Sequence, residues 1–228
     1  MRFIVSRTSG DHYQALQRRT FSQCERWRTD EKLIFDYVHV WGYHQKLQAI
    51  EQAQQAGARY VLWMDVSFEP VASLEPIWEI VERQGWFVSK QGESMLGTWT
   101  SDDALFDYGI SRDQAMEIPL CLSGLVGLDL RSDVGRQIFT MWRELAHTFP
   151  GNYYNVPGEA QKPLGAKTTG HASFDPRCEG HRHDESALSF VLWQMGLKIE
   201  TSPLMAVYYD SGYVVGRNFR REDGSYAD

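Results

Sequence analysis

Apolar residues in this chain come in short bursts separated by stretches of helical spacing, an alternation that predicts an α/β fold with a mostly parallel central sheet flanked by helices. Phe3-Ile4-Val5-Ser6 reads as a strand leading into a polar loop, Ser6-Arg7-Thr8-Ser9-Gly10. Asp11 is suited to cap a helix over 11–27. A second strand is expected over 33–40, and Leu47, Ile50 and Ala53 mark the inner face of a helix over 45–57. The apolar run Tyr60-Val61-Leu62-Trp63-Met64 then stops abruptly at Asp65-Val66-Ser67. A buried strand ending this way delivers a carboxylate to its carboxyl edge, where open α/β sheets bind ligands. Asp65 could equally be a turn residue after a core strand.

Leu74, Ile77, Trp78 and Val81 predict a further helix over 74–84, and Trp86-Phe87-Val88-Ser89 a strand near which the first half of the fold should end. Short capped helices are expected to follow Trp99 and Ser111. Residues 120–129 form an apolar strand interrupted by Ser123-Gly124, where glycine signals a close backbone approach or a bulge. An amphipathic helix over 132–149 carries Ile138, Phe139, Trp142 and Leu145 on its apolar side. Residues 150–180 lack periodicity and read as a long irregular loop. Helical spacing resumes after His183 with Ala187, Leu188, Val191, Leu192 and Met195 on one stripe and Gly196 as the residue past its end. A last strand is expected over 205–209, and residues 212–228, with Arg217, Arg220 and Arg221, read as a flexible tail.

With 228 residues, 43% of them hydrophobic, the chain can bury a full core, and it is expected to form one domain over 1–228. A formal charge of −7 argues against a basic nucleic-acid binder overall, though not against a local basic groove. Cys24, Cys121 and Cys178 are odd in number and widely spaced, which suits reduced thiols in a cytosol-like compartment. The opening residues lack the apolar core of a signal peptide, and no stretch approaches the roughly 20 apolar residues of a membrane span. A cytoplasmic protein is therefore expected. Of the aromatic residues, Trp99, in a polar loop beside Asp102 and Asp103, is the best placed to stack on a ligand, while most others belong to the core.

The segment His181-Arg182-His183-Asp184-Glu185-Ser186 opens the last helix with two carboxylates. Such residues serve as helix caps and complement the helix dipole, and they are also the residue types that stabilise positive charge or move protons. The run His183-Asp184-Glu185-Ser186 resembles the His-Asp-Glu-Ser segment of the retaining α-galactosyl and N-acetylgalactosaminyl transferases of the blood-group type, within the wider GT-A-fold glycosyltransferases. In that family an Asp-Val-Asp strand, resembled by Asp65-Val66-Ser67, and a small-residue strand, resembled by Ser123-Gly124, occur in the same order. The resemblance spans about residues 60–195 by motif. It implies a nucleotide-sugar donor, an acceptor hydroxyl, and a divalent cation, Mn²⁺ or Mg²⁺, held at Asp65. Ser67 replaces the second acidic ligand of the family pattern, which weakens the case for the metal.

By the same resemblance Asp65 and Ser67 would meet the diphosphate, Ser6 and Arg7 the nucleotide, and Ser123, Gly124 and His183 the donor sugar. Asp184 would orient that sugar and Glu185 would act at the anomeric carbon, as a stabilising carboxylate or as a base. Trp99, Asp102 and Asp103 would face an acceptor, which could be a glycan, a small molecule or a modified nucleic-acid base. Arg217, Arg220 and Arg221 could fold over the diphosphate. Two other readings stay open: a non-catalytic nucleotide-sugar binding module, and a metal-dependent hydrolase or nuclease built on Cys178, His181 and His183, with Asp184 following and His171 as a fourth ligand.

Overall fold

The computed structural model describes residues 1–8, 11–37, 44–148, 172–206 and 215–217, with the side chains of 11–13, 37, 206 and 215–217 left aside. It is a mixed α/β protein whose five-stranded sheet runs β2-β1-β3-β6-β5. Here β1 is Arg2–Thr8, β2 Lys32–Tyr37, β3 Tyr60–Met64, β5 Trp86–Met95 and β6 Pro119–Asp129. β1 pairs in parallel with both β2 and β3, and β6 lies antiparallel to β3. A second, three-stranded sheet has the order β4-β8-β7, with β4 at Phe68–Pro70, β7 at Met205–Ala206 and β8 at Val215–Arg217. The helices are α1 Asp11–Trp27, α2 His44–Gln55, α3 Glu75–Gln84, α4 Asp102–Tyr108, α5 Arg112–Ala115, α6 Asp133–Glu144 and α7 His183–Gln194.

Most boundaries fall where periodicity and caps place them. Ser101 caps α4 by accepting from Ala104 N–H, and Ser111 and Gln114 close a reciprocal capping box on α5. Gly85 ends α3 with φ 89°, a left-handed conformation that glycine adopts without a Cβ penalty. Gly196, with φ 68°, plays the same part after α7.

Five elements differ from expectation. Ser6, Arg7 and Thr8 continue β1 instead of forming a loop, because pairing with β2 runs on through Ser6↔Phe35, Arg7↔Asp36 and Thr8↔Tyr37. β5 likewise runs past Ser89 to Met95. β4 and β8 were invisible as strands: each is three residues long, too short to show alternation. Val215–Arg217 thus forms a strand inside the segment read as a tail; Arg220 and Arg221 lie outside the described residues. Finally, α7 is buried on every side from His183 to Leu192, not on one stripe.

The chain clusters into two compact units. The first comprises Met1–Val88, Gly124–Gln137 and Ser202–Asp228. Its core is the apolar inside of β1 and β3 against α2 and α3, with Ile4, Ile50, Leu62, Trp63, Ile77 and Trp78 fully buried. The second comprises Ser89–Ser123 and Ile138–Thr201, and its core gathers around Leu120, Trp142, Leu188 and Val191. Among the described residues no helix is long and apolar enough to cross a membrane.

Candidate functional site

In the first unit the site forms around Asp65, at the carboxyl end of β3. The chain turns there because Asp65 N–H donates to Gly124 O at 2.8 Å and Phe68 N–H closes back on Asp65 O at 2.9 Å. Thr20 of α1 holds the next residues by donating to the carbonyls of Val66 and Phe68 at 3.2 and 2.9 Å. Arg19 grips Glu69 of β4 through Nε and Nη2 at 2.8 and 2.9 Å. Gly124 is explained by the same turn: a Cβ there would overlap the Phe68 ring, so the close approach that this glycine permits is to Phe68. The Asp65 side chain, 35% exposed, accepts Trp63 Nε1–H at 2.7 Å on Oδ1, and Lys46 Nζ lies 3.7 Å from the same oxygen. Ser67 is half-buried beside it.

Ser6 and Arg7 point to opposite faces of β1, as strand alternation demands. Ser6 Oγ is buried and has no hydrogen-bond partner among the described residues. Arg7 reaches Asp36, its cross-strand partner, at 3.0 Å and Gln52 at 2.8 Å, so its guanidinium ties β1 to β2 and α2. Arg217 is the cross-strand partner of Phe68 in the pairing of β8 with β4, which brings its backbone beside the Asp65 turn.

In the second unit the centre is the first turn of α7. His183 has φ 50°, the one positive φ among the described non-glycine residues. Left-handed backbone at a non-glycine residue costs roughly 1–3 kcal/mol and persists where its surroundings impose it. The fixing bonds are Arg182 N–H to Trp99 O at 2.9 Å, Ser186 Oγ to Trp99 O at 2.6 Å and Trp142 Nε1–H to Asp184 O at 2.9 Å. Asp184 and Glu185 are consequently buried in the first turn of a helix, at the positive end of its dipole. With its amide oriented to donate, Gln91 of β5 bonds both carboxylate oxygens of Glu185, Oε2 at 3.2 Å. Sequence reasoning passed over both Gln91 and Lys46.

Trp99 has one face covered by the Arg182 guanidinium, 4.4 Å from the ring centroid. Asp102 is exposed but already accepts Arg112 at 2.6 Å and Ser173 Oγ at 2.7 Å; Asp103, also exposed, occupies the first turn of α4. Ser123 is buried in β6.

The proposed metal cluster does not assemble. Among the described residues no three His, Cys, Asp or Glu side chains converge as metal ligands, and His171 lies outside them. Cys178 Sγ lies against the carbonyls of Thr100 and Gly180 at 3.5 and 3.4 Å. His181 Nδ1 accepts Ser101 N–H at 3.3 Å and Nε2 donates to Thr148 O at 2.9 Å, leaving neither ring nitrogen for a metal. Burial pushes the His181 pKa down to about 4, so its ring is a neutral bridge between two backbone segments.

The fold is that of the GT-A glycosyltransferases. Mouse xyloside xylosyltransferase 1 superposes with a TM-score of 0.51 over 95% of this chain and 97% of its own, at 8% identity. The bifunctional glycosyltransferase WbbM matches with a TM-score of 0.49 over 88% of this chain at 10% identity, and the galactosyltransferase LgtC with 0.39 over 64% at 13%. The chain spans 64% of the length of LgtC and 38% of that of WbbM. No protein-family model matches the sequence, and no curated protein matches it.

Proposed function

We propose that this protein is a glycosyltransferase that moves a sugar from a nucleotide-sugar donor to an acceptor hydroxyl. The observation that carries the reading is Asp65: a partly exposed carboxylate, oriented by Trp63, at the carboxyl end of a central strand in a GT-A fold. Fold alone does not specify chemistry, so the reading rests on this residue together with the acidic helix start.

Within it, Asp65 and Ser67 serve the diphosphate end of the donor, and Ser6 and Arg7, on neighbouring positions of β1, serve its nucleotide end. Asp184 and Glu185 serve the sugar. Breaking the bond from the anomeric carbon to the diphosphate leaves positive charge on the ring, and a carboxylate fixed by Gln91 stabilises that charge without having to reorganise. If configuration is inverted instead, the same carboxylate accepts the acceptor's proton.

The test is a panel of nucleoside diphosphate sugars assayed for release of free sugar and for transfer, with the wild type beside Glu185→Gln. Hydrolysis of one donor is expected. Loss of a well-placed electrostatic group costs roughly 10²–10³ in rate, so Glu185→Gln should lose turnover by that factor with donor binding retained. Equal turnover in the two proteins would remove Glu185 from the chemistry. No donor hydrolysed or bound by the wild type would refute the activity.

A further inference from the structure

Lys46 stands in the first turn of α2, where a lysine would ordinarily extend into water, yet its side chain is only 7% exposed. Its ammonium lies 3.7 Å from Asp65 Oδ1 and 5.3 Å from the centroid of the Trp63 ring. A buried ammonium persists where a counter-charge and an aromatic face replace its water, and both are present. Trp63 Nε1–H donates to the same Asp65 oxygen at 2.7 Å, so strand β3 holds the carboxylate, and the carboxylate holds the lysine.

This arrangement does not suit a divalent cation. Mg²⁺ and Mn²⁺ seek several oxygen ligands, carboxylates above all. Asp65 is the one carboxylate of Asp65-Val66-Ser67, Ser67 offers a neutral hydroxyl, and the Asp65 Oδ1 lone pairs already face an indole N–H and an ammonium. A metal beside Asp65 would also meet the positive charge of Lys46 in a poorly solvated setting, where repulsion is weakly screened. We infer that the donor's diphosphate is bound here without a divalent cation, Lys46 supplying the positive charge that a metal would otherwise bring. An ammonium carries three donors, enough to keep its ion pair with Asp65 and offer a hydrogen bond to a phosphate oxygen. The inference rests on the donor-binding reading above and adds to it the identity of the cationic partner.

Binding of UDP, GDP and ADP, each beside its own nucleoside, would be measured calorimetrically in EDTA and in Mn²⁺. For the diphosphate that binds, the two affinities should agree within about twofold. Lys46→Met and Lys46→Gln, checked for folding by circular dichroism, should lose about tenfold or more in diphosphate affinity with nucleoside affinity unchanged. Wild-type affinity that rises tenfold or more on adding Mn²⁺ would overturn the inference while leaving the donor reading standing. So would an undiminished preference for diphosphate over nucleoside in either folded variant. Absence of diphosphate binding to the wild type in both buffers would refute both.

Discussion

His181 and Lys46 are both buried groups able to carry a positive charge, and the chain treats them oppositely. Lys46 keeps a carboxylate beside it, whereas His181 is bonded to backbone through both nitrogens and is held neutral. Its folded pKa of about 4 lies below the ordinary 6.5, so between those values the unfolded chain binds a proton that the folded chain refuses. Stability therefore holds fully above about pH 6.5 and falls as the pH drops toward 4, by up to on the order of 3 kcal/mol. Urea midpoints between about pH 7 and pH 4.5 should show this fall in the wild type. In His181→Gln they should start lower and lack most of that slope; parallel profiles would mean that another group titrates. Neither residue's role could be read from its neighbours in sequence. A lysine in the first turn of a helix and a histidine in a His-rich loop look solvated until strands and loops distant in the chain close over them.

At the scale of elements, periodicity located the long strands and helices, and caps located their ends, because both signals are local. Gly124 shows where that stops. A glycine within an apolar strand announces a close approach without saying to what, and here the neighbour is the ring of Phe68, in a strand too short to be read at all. α7 defeated the amphipathic reading for a related reason. Ser186 and Ser189 satisfy their hydroxyls on the carbonyls of Trp99 and Glu185, so polar positions are buried as fully as the apolar ones. The Asp65–Gly124–Phe68 packing makes a prediction. Gly124→Ala forces its methyl into the Phe68 ring, an overpacking that costs about 1–3 kcal/mol. For a chain of this size each kcal/mol lowers Tm by about 2–4 °C. Because Phe68 N–H also closes the Asp65 turn, diphosphate affinity should fall along with Tm. Phe68→Leu in the same background should recover part of both, and a Gly124→Ala protein with unchanged Tm would show that β6 shifts freely around the ring.

For the molecule as a whole, a formal charge of −7 repels an anionic donor at long range, so attraction must come from cations placed close to the phosphates. The carboxyl-terminal stretch supplies three candidates in Arg217, Arg220 and Arg221. β8 gives the first of them a fixed backbone position, in register with Phe68 and next to the turn that holds Asp65. Guanidinium groups pair with phosphate oxygens through two parallel hydrogen bonds, which complements the single point charge of Lys46. Removing the chain after Gly216 would test charge and structure together, since it also deletes the last residue of β8. The sharper comparison sets that truncation beside Arg217→Gln, Arg220→Gln and Arg221→Gln combined, which leaves the backbone intact. Each charge-assisted hydrogen bond confers about 1.5–3 kcal/mol, so the triple variant should lose roughly tenfold or more in diphosphate affinity at moderate salt. Its Tm without ligand should match the wild type, whereas the truncated protein should be less stable as well. If the triple variant binds diphosphate as the wild type does, the arginines are surface charges, and β8 serves only to complete the sheet beside Asp65.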